Sequence, residues 1–261
     1  MGKGSVHLAY PVRLRVIGKY TGQLCIVLAA VTAVPLMVGI IAGQWGFAWR
    51  TALSVAVLGG GGTALNMLSA PGRLQTNEAL IVSAAAFLIG ALAMVFPLMS
   101  FGLAGLDALF EAVSGVTTTG LTTMARVEDK PRVFLFARAW MQWYGGLGVV
   151  ALSLAFLTRP GIIARRLSMA EPEEEELLAS TRAHSRRVIV VYGLLTAGGF
   201  LLLLLCGASW FSALAHTLSG VSTGGFSIYD ESIGGQSGSI RGGVILVSLT
   251  GAISFGRPRI S

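Results

Sequence analysis

The chain has 261 residues, of which 54% are hydrophobic and only 12% charged, with a formal net charge of +7 and a mean hydropathy of +0.74. Soluble domains carry about 25% charged residues, so this composition excludes an ordinary soluble domain and points to an integral membrane protein. The positive charge does not point to nucleic acid, because no basic cluster is interleaved with aromatic residues.

The basic residues follow topology instead. Lys3, Arg13, Arg15 and Lys19 precede the first apolar run, Arg73 follows the second, and Arg159, Arg165, Arg166, Arg182, Arg186 and Arg187 lie in one long polar segment. An excess of Lys and Arg marks cytoplasmic loops, which predicts a multi-pass protein of the cytoplasmic membrane with its N-terminus inside. The first apolar run lacks a small-residue cleavage site and reads as a retained anchor.

In chain order, residues 24–41 and 51–68 are predicted as a helix pair, interrupted by Pro35 and by Gly59 to Gly62 and joined by a short outer turn carrying Arg50. Residues 79–98 have the ~20 apolar positions that cross ~30 Å of hydrocarbon. Residues 106–116 are too few to cross, and polar Thr117, Thr118, Thr119 and Gly120 follow, so this segment is predicted to enter and leave on the outer side. Residues 133–157 run back inward, with Arg138 and Gln142 near the start and Gly145, Gly146 and Gly148 near the middle. Residues 158–187, with the acidic run Glu171 to Glu176, read as a solvated cytoplasmic linker. Residues 188–206 cross outward, residues 211–221 repeat the short segment, Ser222, Thr223, Gly224 and Gly225 repeat the polar turn, and Ile240 begins the last inward crossing.

The expected organisation is an all-α membrane protein. An N-terminal segment and helix pair (1–75) precede one helix–pore loop–helix unit (76–158), a cytoplasmic loop (159–187) and a second such unit (188–261). In the second unit Arg257 and Arg259 fall opposite Leu152 and Leu154 of the first. A basic residue at a bilayer centre costs roughly 2.5–3.5 kcal/mol, so the sequence is expected to stop or leave frame within a helix.

The duplication is explicit: SGVTTTGLTT at residues 114–123 returns 105 positions later as SGVSTGGFSI at 219–228. A bare monovalent cation needs oxygen ligands in place of its water shell, and main-chain carbonyls of glycine- and threonine-rich turns supply them. Gly120 and Gly225 are expected to take the backbone angles that aim carbonyls at an axis, while Thr117, Thr118, Thr119, Ser222 and Thr223 add hydroxyls. The alternative, that each turn merely caps a short helix, loses weight when the motif occurs twice in matched surroundings.

Asp107 and Glu111 either concentrate cations at the mouth or simply solvate the ends of the first short helix. Arg138, close to the outer edge, is expected to snorkel to the interface, with bracing of the pore loop second. His216 stands opposite Glu111 in the repeat and is expected to make a satisfied polar contact; His7 and His184 lie in cytoplasmic stretches without metal-ligand spacing. Cys25 and Cys206 read as buried structural thiols. A membrane enzyme using Ser114 or Ser219 is the rival class. It is disfavoured, because no Ser-His-Asp or paired-carboxylate arrangement is placed on facing segments.

These two motifs, with Asp107-Ala-Leu-Phe-Glu111 before the first and Gln142-Trp-Tyr-Gly-Gly-Leu-Gly148 after it, resemble the Trk/Ktr/HKT superfamily of potassium transporters, the TrkH type most closely, over roughly residues 76–255. The resemblance implies potassium uptake across the cytoplasmic membrane, channel-like or as a symporter, with potassium as substrate and no covalent cofactor. It implies four helix–pore–helix repeats around one path, with Gly120 and Gly225 as selectivity-filter glycines and Thr118, Thr119, Thr223 and Gly224 lining the ion sites. Two of four repeats are present, so the chain corresponds to an N-terminal half. It would need the missing half or a second copy, or else be a non-conducting fragment. A cytoplasmic TrkA-type nucleotide-binding regulatory subunit and a homodimeric assembly are also implied.

Overall fold

The computed structural model describes residues 12–69, 74–157 and 174–255. The described residues form an all-α membrane fold: α1 (Leu14–Ile41), α2 (Trp45–Asn66), α3 (Thr76–Leu98), α4 (Gly105–Val116), α5 (Arg132–Leu157), α6 (Glu174–Leu205), α7 (Trp210–Val221) and α8 (Gly238–Phe255), with one 3-10 turn at Met99–Phe101. Leu14–Ile41, Asn77–Phe101 and Arg186–Leu205 are long and apolar enough to cross a membrane, with mean hydropathies of 2.7, 2.5 and 2.5, and Gly238–Ile253 is apolar but shorter.

Three boundaries differ from expectation, for one reason: hydropathy marks where lipid begins, whereas a helix continues for as long as its residues tolerate it. α1 starts at Leu14 rather than residue 24, taking in Arg15 and Lys19, which are good helix formers. α6 starts at Glu174, so the end of the expected linker, His184 included, is helical. α2 starts at Trp45, which places Arg50 on the helix rather than in a turn. Its guanidinium lies over the rings of Phe96 and Trp49, 4.8 and 5.5 Å from their centroids. The rest of the linker (158–173), Arg73, His7, and Arg257 and Arg259 lie outside the described residues.

Neither Pro35 nor the Gly59–Gly62 run breaks its helix. Glycine instead sets the spacing of the α1–α2 pair, since a Cβ on Gly22 would sit 2.7 Å from the Gly62 carbonyl oxygen, and one on Gly62 would sit 2.8 Å from that of Gly22. Lipid offers no hydrophobic drive between helices, so such close backbone approach supplies the dispersion contact that holds them. The pair is clasped to α3 at its base, where fully buried Glu78 accepts from the Arg13 Nε, Nη2 and main-chain N–H at 2.9, 2.8 and 3.1 Å. Glu78 also accepts from the Gln75 N–H at 2.9 Å, which satisfies an otherwise orphaned donor at the start of α3.

The core lies where α3, α4 and α5 meet, around Leu98, Met94, Ala108, Ala112, Phe134 and Met141. α5 is anchored to the N-terminal pair by the Trp140 indole, which donates to the Val31 carbonyl at 2.8 Å. Cys25 is buried among α1–α2 contacts, Cys206 is half-buried, and both are free thiols. Against this core sit two helices of 12 residues each, α4 and α7, whose C-terminal turns carry the duplicated motif.

Candidate functional site

Both short helices end in the same way. After α4 the N–H of Thr118 reaches the Gly115 carbonyl (3.1 Å) and the N–H of Thr119 reaches that of Ser114 (2.9 Å). After α7 the N–H of Thr223 reaches Gly220 (2.9 Å) and that of Gly224 reaches Ser219 (2.8 Å). This double bond pattern is a helix C-cap that needs one residue in the left-handed region, nearly always glycine. Here that residue is threonine in both copies, Thr118 at φ 58° and Thr223 at φ 54°. A β-branched residue is a true outlier there, and its recurrence at matched positions makes it a designed feature. The turns therefore do cap their helices, and the capping is how the loops acquire their shape.

One of the two glycines departs from expectation. Gly120 has φ 80°, but Gly225 is not among the residues with positive φ. What Gly120 provides is proximity: a Cβ there would fall 2.6 Å from the Gly225 nitrogen, so the two turns meet tip to tip, whereas a Cβ on Gly225 would meet Gly120 Cα at an ordinary 3.4 Å. Gly224 lies against the Gln142 side chain, whose Cδ and Oε1 would be 2.5 Å from a Cβ there. The C-terminal ends of α4 and α7 are seated on glycines of the long helices. A Cβ on Gly145 would collide with the Val116 carbonyl, one on Gly146 would come within 2.6 Å of Ser222 Cβ, and one on Gly251 within 2.6 Å of the Val221 carbonyl.

Several predicted hydroxyls are committed to the turn itself. Thr117 donates to the Val113 carbonyl at 2.7 Å and lies 2.8 Å from Thr119 Oγ1, while Ser222 Oγ turns back to the Leu218 and Ser219 carbonyls at 3.1 and 2.8 Å. The main-chain oxygens are free by contrast. Among the described residues, no donor reaches the carbonyls of residues 117–120 or 222–225. These eight main-chain oxygens, on two touching turns, therefore remain available as acceptors.

A buried ion pair lies beside the two tips. Arg138 is only 2% exposed, so it does not snorkel; its Nε donates to Glu111 Oε2 at 2.8 Å, its Nη1 donates to the Ser227 carbonyl at 3.2 Å, and it lies 3.8 Å from the Phe226 ring centroid. Glu111 is fully buried and does not face the mouth; it also accepts from the Thr122 hydroxyl and, at 3.2 Å, from the Thr123 N–H. Bracing displaces snorkelling because each charge finds a better partner inside, 27 positions away, than water at the edge. Asp107 is half-buried in the first turn of α4. His216 makes the satisfied contact expected of it, with Nδ1 2.9 Å from the Ser212 carbonyl, Nε2 3.2 Å from Ser227 Oγ, and its ring stacked on Tyr229.

The sequence reading missed three contributors. Gln142 Oε1 accepts from the Phe226 N–H at 3.1 Å. Asp230 accepts from the Val127 and Glu128 N–H groups, and Glu128 accepts in return from the Asp230 N–H at 3.1 Å, so the connectors after the two turns cap one another. A void of about 140 Å³ beside the tips is lined by Gly120, Gly225, Thr122, Arg138 and Asp230. The only available signal was the four-residue spacing of Arg138 and Gln142, which puts two polar groups on one face of an otherwise apolar helix.

The fold and the paired turns define a class, an all-α membrane protein with a duplicated helix–turn unit, and comparison with known proteins makes the class specific. The model of the TrkH family, described as cation transport protein, matches residues 50–256, and the chain belongs to that family. The family is one of cation transporters rather than enzymes. The chain is 32% identical over 230 residues to the Trk system potassium uptake protein TrkH of Halomonas elongata, covering 85% of this chain and 48% of that protein. It is 35% identical over 169 residues to TrkG of Escherichia coli K12, covering 62% of this chain and 35% of that one. The crystal structure of the potassium transporter TrkH from Vibrio parahaemolyticus shares the fold with a TM-score of 0.75 at 23% identity, over 90% of this chain and 49% of the other. The chain thus spans about half the length, or less, of these relatives.

Proposed function

We propose that this chain forms part of a potassium uptake path, with the turns at 117–120 and 222–225 as two strands of its selectivity filter. The observation that carries the reading is the matched pair of turns, touching at Gly120 and Gly225, whose carbonyl oxygens have no donor among the described residues. Thr118, Thr119, Thr223 and Gly224 then supply main-chain oxygens to dehydrated potassium, and Gly120 lets its strand approach the one at Gly225. α3–α4–α5 and α6–α7–α8 each act as a helix–pore loop–helix unit behind the N-terminal pair, with the N-terminus cytoplasmic. The two units make half a ring. The rest comes from a C-terminal half or from a second copy, and the assembled transporter is a homodimer that binds a TrkA-type nucleotide-binding subunit on its cytoplasmic face.

The test is uptake by a potassium-uptake-deficient bacterium expressing this chain together with the C-terminal half of the Halomonas elongata relative. Growth at low potassium and rubidium uptake are expected, and Gly120→Ser, which places a Cβ at positive φ against the Gly225 backbone, should lower the preference for rubidium over sodium at equal expression. Absence of rubidium uptake with both halves in the membrane, or an unaltered preference in the serine variant, overturns the reading.

A further inference from the structure

The two turns share a motif but not a scaffold. In the first, Ser114 Oγ donates to the Leu121 carbonyl at 2.6 Å, so the strand beyond the turn is tied to its own short helix. The matching serine of the second, Ser219, is buried and its hydroxyl has no partner among the described residues. The residues 105 positions beyond Glu111, Arg138 and Gln142 are His216, Gly243 and Val247. α8 therefore offers an empty position and an apolar one where α5 offers a guanidinium and an amide. His216 does reach Ser227 Oγ at 3.2 Å, as Glu111 reaches Thr122 in the first unit, but the main chain of the second strand is held from the first unit, by Gln142 at the Phe226 N–H and by Arg138 at the Ser227 carbonyl, with the Arg138 guanidinium also over the Phe226 ring.

We infer that Arg138 is a positioning residue for both turns at once, a single buried guanidinium that fixes the strand following each and couples their geometry. The inference rests on the reading of the turns as ion-lining. The guanidinium suits this task because its donors diverge in a fixed plane: Nε serves Glu111, which holds Thr122 and Thr123, and Nη1 serves Ser227. Lysine is a point charge on a flexible stem and cannot reproduce both contacts. Glu111 and Arg138 are 0% and 2% exposed, so removing one charge alone strands the other. The informative variant is the neutral pair Glu111→Gln/Arg138→Met, which leaves no unpaired buried charge.

The experiment is amide hydrogen exchange of the full chain in lipid nanodiscs, read over residues 121–124 and 226–230. In the neutral pair both segments should exchange about tenfold faster or more, the loss expected of charge-assisted hydrogen bonds. In Arg138→Lys the ion pair with Glu111 survives, so 121–124 should stay protected while 226–230 speeds up. Acceleration confined to 121–124 in the neutral pair, or full protection of both segments by lysine, overturns the inference; should the neutral pair not fold, the lysine variant makes the same discrimination. In the assembled transporter Arg138→Lys should alter the rubidium-to-sodium uptake ratio more than total uptake. Exchange is read without ion flux, so a chain with a shared clamp but no uptake counts against the transport reading and leaves the clamp standing.

Discussion

Replacing Thr223 by glycine should make the protein more stable and its ion path less discriminating. Thr223 sits at φ 54°, is exposed, and closes the C-cap of α7 through its main chain rather than its side chain. Holding an L-residue in the left-handed region costs roughly 1–2 kcal/mol, and glycine, free of that cost, gives back about 0.5–1 kcal/mol through the greater freedom of its unfolded chain. The net gain is about 0.5–1 kcal/mol, or a rise in Tm of about 2 °C for a chain of this length. The control is Thr223→Ala, which removes the same side-chain atoms but keeps the Cβ and so keeps the strain. Thermal unfolding in detergent, followed by size-exclusion of the surviving protein, compares the two. If glycine is no more stable than alanine, the threonine is not strained and the argument fails. If glycine is more stable and the rubidium-to-sodium ratio falls, the strain serves to fix the carbonyls, which is the usual reason for such strain to persist at a functional site.

Gly145→Ala should be severe, because its methyl collides with the Val116 carbonyl at the end of α4; overpacking of this kind costs about 1–3 kcal/mol, and a fall in the yield of monodisperse protein measures it, with an unchanged yield refuting the close approach. Trp140→Phe keeps a ring against Trp143, stacked at 4.8 Å, but removes the donor to the Val31 carbonyl. The expected loss is about 1 kcal/mol, seen as a lower Tm, and no change would mean that α1 and α5 are not tied there.

The crossing helices are legible in the sequence because lipid leaves no alternative: backbone groups must bond within the segment, so residues 79–98 could only be a helix. The starts of α1 and α6 are not, since Arg15, Lys19 and the glutamates after 173 are polar yet favour helix. At the site, the duplicated motif locates both turns within a residue. What carries their shape is hidden: threonine is the wrong residue to expect at positive φ, and glycine drew attention for a freedom that Gly225 does not use. The Arg138–Glu111 pair is hidden for a different reason. Position alone puts Arg138 near an aqueous edge, and only the tertiary fold brings a carboxylate to it from 27 residues earlier.

The reciprocal carboxylate caps of Glu128 and Asp230 carry one more implication. The N–H groups of Val127, Glu128 and Asp230 are thereby satisfied across the two connectors, which crosslinks the two units beyond their turns. On the proposed reading, a partner half would meet a rim already stapled at this point by two acidic side chains.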